Sequence, residues 1–211
     1  MTDHLRPNWP RSALILIDVQ NDFLDGAAPV AGTAELVPAM AALAAAFRTA
    51  GRPVIHVVRA YLPGGSDVDL IRRSAIEAGA ELVAPGSAGA GIPAALLPRD
   101  GITLDWDRLL AGEAQRIDDD EYVLHKPRWS AFHRTRLDEL LAEHGVDTVV
   151  VAGCNLPNCP RATLFDASER DHRTVLVTDA TSQTTPERSA DAELIGVRLL
   201  TGADVAAALA P

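Results

Sequence analysis

Residues 148–153 read TVVVAG and run directly into CNLPNCPR, residues 154–161. A valine-rich run without polar alternation, closed by Gly153 and a polar turn, is how a strand buried on both faces of a parallel sheet reads. Working outward, the same texture recurs in ALILID (Ala13–Asp18), PVIHVV (Pro53–Val58), EYVLHK (Glu121–Lys126), TVLVTD (Thr174–Asp179) and VRLL (Val197–Leu200). Helical stretches separate these runs. Thr33–Ala50 is rich in Ala and Leu and stops at Gly51, and Pro38 places the start of its regular part. Arg134–His144 is amphipathic and ends at Gly145. Further helices are predicted at Arg161–Arg170, Pro186–Ile195 and Ala203–Leu209.

Alternating strands and helices imply one α/β domain over residues 1–211, a parallel sheet with right-handed crossovers and helices on both faces. Residues 59–119 break the alternation: a long insert with one predicted helix at Val68–Ala78 and a Gly/Pro/Ala stretch at Pro85–Pro98. A connection of that length in a compact domain usually serves the ligand site.

The chain is 47% hydrophobic but only 4% aromatic, which suits closely packed helix–sheet layers. With 29 acids against 19 bases its net charge is -10, so phosphate backbones and anionic lipid surfaces are poor partners. No stretch approaches the roughly 20 apolar residues that span a bilayer. The segment MTDHLRPNWPRS lacks an apolar signal core, and the cytoplasm is the expected compartment. No G-x-G-x-x-G follows the first strand, which disfavours a dinucleotide-binding enzyme.

In open α/β sheets ligands bind beyond the carboxyl ends of the strands. Three of those ends carry chemistry: Asp18, Lys126 and, in the turn after Gly153, Cys159 ahead of a helix. A thiol attacks as its thiolate, and a helix N-terminus together with Lys126 is expected to favour that anion. Asp18 is the candidate general base, and backbone N–H groups of the turn are candidates to hold an oxyanion. Attack on an amide carbon would give a thioester for water to hydrolyse. Taken singly, Asp18 reads as a turn residue, Lys126 as a solvated lysine and Cys159 as a small packed hydrophobe; only their convergence points to catalysis.

Together and in this order, ALILIDVQNDFL (Ala13–Leu24), VLHKPRWSAFHRTRLDELL (Val123–Leu141) and VVVAGCNLPNCPRATLFDASERDHRTVLVTDAT (Val149–Thr181) resemble the isochorismatase-like cysteine hydrolases. The resemblance implies a three-layer α/β/α fold with a six-stranded parallel sheet. It implies a triad, which falls on Asp18, Lys126 and Cys159, and an oxyanion hole from the backbone N–H groups of Asn155 and Cys159. It also implies a cis peptide bond between Cys154 and Asn155, and a homodimer or homotetramer. The thiol favours small amide, lactam or ureido substrates over the vinyl ethers of isochorismatase-type members that rely on the acid alone. Leu156 and Pro160 depart from the commoner Thr and aliphatic residue at these places. The NLPNCPR variant and the long insert are similar to a subgroup of unassigned cysteine hydrolases and to streptothricin hydrolase.

Nicotinamidases of this superfamily hold a metal through Asp-x-His after the second strand; here that region is RAYLPGGSDVD (Arg59–Asp69), without histidine, and no metal or other cofactor is expected. Phe23, Tyr61, Trp129 and Phe132 are candidates to line a substrate pocket, with ordinary packing as their other role. Asn155 and Asn158 are candidates for substrate contact or for shaping the turn. Arg59 and Arg128 suit an anionic group or, more simply, surface salt bridges, and His56 and His125 read as structural. Two rival readings stay open: thiol sensing by Cys154 and Cys159, whose C-x4-C spacing is not that of disulfide oxidoreductases, and a non-catalytic binder on the same scaffold.

Overall fold

All six residues of β1 (Ser12–Ile17) are buried, and their side chains alternate between two apolar layers. This is the consequence of a period-two strand at the centre of a sheet covered on both sides. The computed structural model describes residues 3–210. The other strands are β2 (Val54–Val58), β3 (Gln115–Asp118), β4 (Glu121–His125), β5 (Thr148–Gly153), β6 (Arg173–Thr181) and β7 (Arg198–Leu200). They form one seven-stranded sheet in the order β3-β4-β2-β1-β5-β6-β7.

The helices are α1 (Asn21–Leu24), α2 (Val37–Thr49), α3 (Leu70–Glu77), α4 (Trp106–Leu110), α5 (Leu137–Glu143), α6 (Cys159–Ser168), α7 (Pro186–Glu193) and α8 (Gly202–Leu209). One face of the sheet packs Ala13, Ile15 and Ile17 against Leu137, Leu140 and Leu141 of α5, Leu164 and Ala167 of α6 and Ala192 of α7. The opposite face packs Leu14 and Leu16 against Met40, Leu43, Ala44 and Phe47 of α2 and Val205 of α8.

The six predicted strands are all present, and their five pairings are parallel. The expected purely parallel, six-stranded sheet is nonetheless corrected to seven strands, because β3 pairs antiparallel with β4. Asp119 and Asp120 make the tight reversal between them, with Asp120 in the left-handed region at φ 52°. Only Ile117 of QRID is buried, so this edge strand carries no apolar run by which a sequence pattern would find it.

A polar cluster stands inside the sheet. Glu121 is 1% exposed and accepts from Arg48 Nε on α2 at 2.7 Å, with His56 Nε2 of β2 also 2.7 Å from its carboxylate. His56 is therefore structural, tying two strands to the helix that covers them.

Candidate active site

The strand order turns at β1, where the chain has built outward to β2 and β4 on one side and returns to β5 on the other. A crevice opens at such a point beyond the carboxyl ends of the strands. Asp18 directly follows β1 with a left-handed backbone (φ 54°), and its N–H donates to Val57 O at 2.9 Å. Lys126 directly follows β4, its N–H bonded to Val58 O at 3.0 Å. Gly153 ends β5 at φ 124°, lying so close to Ile17 that a β-carbon there would meet the backbone of β1. The Cys154–Asn155 peptide bond that follows is cis, and the turn delivers Cys159 as the first residue of α6.

Lys126 Nζ lies 2.8 Å from Asp18 Oδ2 and also donates to Arg128 O at 3.2 Å. The lysine is fully buried, not the solvated side chain that the residue taken alone suggests. The second carboxylate oxygen, Asp18 Oδ1, is buried without a hydrogen-bond partner among the described residues. Beside it stands Cys159, whose thiol is pushed up to about 12. Burial is the largest cause; the Asp18 charge and the acceptor it offers add to it, and Lys126 and Arg59 oppose it. The expected help to the anion from Lys126 is present but is outweighed by desolvation and by the neighbouring carboxylate, so the net shift of the thiol is upward. Cys154, also buried, is pushed up to about 11, burial again first.

Asp18 and Cys159 open on one cavity of about 300 Å³, together with Phe23, Tyr61, Trp129 and Asn158. Asn155 lines it as well, with its side-chain amide tied to Gln183 Oε1 at 3.0 Å. The N–H groups of Asn155 and Cys159 enter none of the backbone hydrogen bonds among the described residues, which leaves both available to a ligand. Lys126 does not line the cavity; it lies behind Asp18. Phe132 is elsewhere, packed in the core against His172 and under the Arg170 guanidinium. Arg128 is a surface partner of Asp67.

Arg59 corrects its surface reading. It is 3% exposed, donates to Tyr61 Oη at 3.0 Å and pairs with Asp69 on the cavity wall. It occupies the stretch after β2 where histidines were absent, and among the described residues no group of three or more His, Cys, Asp or Glu side chains is placed to hold a metal.

Two supporting residues escaped the sequence reading. Gln20 is wholly buried: it donates to Arg59 O at 2.9 Å and Ala90 O at 2.8 Å and accepts from Arg59 N at 2.7 Å, joining the β1 and β2 ends to the insert. Asp22 Oδ2 accepts from Val83 N at 2.6 Å, fixing the insert from below. Their location in VQNDF, between Asp18 and Phe23, was the available signal; their partners lie about 40 to 70 residues on.

The isochorismatase domain, as a family, matches residues 12–208. The chain belongs to the isochorismatase family. It is 36% identical, over 85% of its length and 84% of the relative's, to a probable inactive nicotinamidase of Arabidopsis thaliana. A ureidoacrylate amidohydrolase of Methylobacterium radiotolerans is 32% identical over 92% of this chain and 76% of that one. A maleamate amidohydrolase of Pseudomonas putida is 31% identical over 79% and 70%. Among solved structures, an isochorismatase family protein of Desulfovibrio vulgaris superposes with a TM-score of 0.79 at 37% identity, covering 95% of this chain and 99% of that one. In this isochorismatase-family chain the blocks that carry the acid, the lysine and the thiol all fall inside the matched residues.

Proposed function

We propose that this chain hydrolyses a carbon–nitrogen bond of a small amide, lactam or ureido compound through a thioester on Cys159. The observation that carries the reading is the division of labour at Asp18: one oxygen is held by Lys126 at 2.8 Å, and the other is unpartnered at the cavity that holds the thiol. A carboxylate so placed suits a general base whose orientation is set before substrate arrives. Two relatives named amidohydrolases, one of ureidoacrylate and one of maleamate, support the bond type.

In this mechanism Asp18 takes the thiol proton as Cys159 Sγ bonds to the carbonyl carbon. The oxyanion accepts from the N–H groups of Asn155 and Cys159. The carbon–nitrogen bond breaks as Asp18 returns the proton to the leaving nitrogen, and the amine or ammonia departs. Water then attacks the thioester, losing a proton to Asp18; the acid is released and the proton returns to sulfur. Lys126 keeps the carboxylate in place and balances its charge throughout. Burial and the Asp18 charge push the thiol up, which suits transfer of its proton to Asp18 as attack proceeds.

Ammonia release over a panel of small amides, lactams and ureido compounds tests the reading. Cys159→Ala should lower kcat by a factor on the order of 10³ or more, as removal of a nucleophile does. Intact folding of that variant with full turnover would overturn the mechanism. Absence of turnover in the wild type across the panel would favour a non-catalytic role, which the probable inactive relative keeps in view.

A further inference from the structure

Of the charged side chains that line the cavity, Asp18 and Arg59 are paired and Arg72, among the described residues, is not. Lys126 is matched by Asp18. Arg59 is matched by Asp69, and its remaining donors reach Tyr61 Oη and Lys126 O. Arg72, on α3 of the insert, also lines the cavity, half-buried, and among the described residues its guanidinium makes neither an ion pair nor a side-chain hydrogen bond. Its neighbour Arg73 is spent on Val68 O at 2.8 Å, and Asp67 is held by Arg128 and Arg134. Phe23, Val30, Tyr61, Ile71 and Trp129 supply the apolar part of a lining that also carries Asp18, Arg59, Asn155 and Asn158. A guanidinium at the rim of such a cavity is a planar fork of donors suited to a carboxylate. The charge runs against the molecule's net -10, so it is a local feature and not part of a general basic surface.

We infer that Arg72 receives a carboxylate of the substrate, so that the compound cleaved at Cys159 is a short acidic amide or ureido acid whose scissile end lies at the thiol and whose anionic end lies at α3. The inference rests on the hydrolase reading above and deepens it by naming the substrate class. The cavity volume of about 300 Å³ is at the lower end of ligand sites, roughly 300–1,000 Å³, and suits a molecule of this size. Arg72 is thus a specificity residue that touches substrate but not the reacting bond. Arg59, the more obvious anion candidate in sequence, is a wall strut with its donors already engaged.

The test separates binding from turnover. Maleamate, succinamate and 3-ureidopropionate are titrated calorimetrically into the Cys159→Ala variant beside their uncharged primary diamides or methyl esters. At least one acid should bind about tenfold more tightly than its neutral counterpart, the size expected for one charge-assisted contact at a half-exposed site. Arg72→Ala added to that variant should erase the preference, and Arg72→Lys should keep part of it. With Cys159 present, Arg72→Ala should lower kcat/KM for the acid about tenfold more than for its neutral counterpart, with the loss falling mainly on KM. Equal affinity for acids and neutral partners, an acid preference that survives Arg72→Ala, or no binding of any acid overturns the inference. If acids bind through Arg72 yet none is hydrolysed, the inference stands and the hydrolase reading falls; if neutral amides are hydrolysed as well as acids, the reverse holds.

Discussion

At Cys159 the carboxylate we propose as the base also makes the thiol a weaker acid. The thiol stands at about 12 because burial and Asp18 both penalise the sulfur anion, with Lys126 and Arg59 pulling the other way. Asp18→Asn should therefore have two opposite effects. In a Cys154→Ser background, the thiolate absorbance near 240 nm should titrate at lower pH than in the parent, because a negative neighbour is gone and Lys126 stays. Hydrolysis should nevertheless be lost, since no group takes the proton during attack. A titration midpoint unmoved by the substitution would show that Asp18 does not act on this sulfur. Lys126→Ala has a different cost: it leaves a buried carboxylate unpaired, and denaturant unfolding should show a loss of about 3–5 kcal/mol. Cys159→Ala, which leaves no charge unmatched, should stay within about 1–2 kcal/mol of the parent. At this scale Asp18, Lys126 and Cys159 were legible because each directly follows or closely trails a strand recognisable from its apolar run. The state of the thiol was not legible, because it depends on desolvation that only packing creates. Arg72 was not legible either: in LIRRSAIE nothing distinguishes the arginine that faces the cavity from Arg73, which folds back on Val68.

The elements that carry these groups are held to tight tolerances. Gly153 faces Ile17 so closely that Gly153→Ala must push β5 away from β1 at the crevice itself, and its φ of 124° penalises any side chain. Loss of stability by roughly 2 kcal/mol or more is expected in chemical denaturation, with turnover falling further than stability. On β4, His125 is lowered to about 4, first by burial and then by the charges of Arg59 and Lys126. The unfolded chain takes up this proton near 6.5 while the folded one resists it, so His125 contributes stability that is present above about pH 6.5 and lost as pH falls toward 4. Urea midpoints measured over that window should fall in the parent and fall less in His125→Gln. Strands β1, β2, β4, β5 and β6 were readable because burial demands apolar runs, and the edge strand β7, exposed at Arg198, was readable only from the short VRLL run. The hairpin strand β3 was not, since an exposed edge needs no such pattern.

Across the whole molecule, one apolar layer on each face of the sheet holds the crevice open at its carboxyl end, and the insert closes over it through Gln20 and Asp22. The Glu121–Arg48–His56 cluster joins α2, β2 and β4 behind the site. Glu121→Ala should destabilise by about 3–5 kcal/mol, measurable as a lowered denaturant midpoint, because two basic groups then lose a buried partner. No helix among the described residues is long and apolar enough to cross a membrane. A homodimer or homotetramer remains our proposal for the state in solution, and light scattering after size exclusion checks it; a monomer at all accessible concentrations would refute it. The course of the insert was the least legible feature, since its register is set by single polar contacts to VQNDF and not by periodicity.

The left-handed backbone at Asp18 bears on what descent could preserve. Short polar residues and glycine tolerate that conformation, so the turn alone would favour Asp or Asn there even in a lineage that had abandoned catalysis. The ammonium of Lys126 is buried against the Asp18 carboxylate and Arg128 O, so each of the two charges is costly without the other. Among kin of this chain, decay of activity should therefore be written first at the thiol, and the lysine should go only where the aspartate has given way to an uncharged residue that suits the bend.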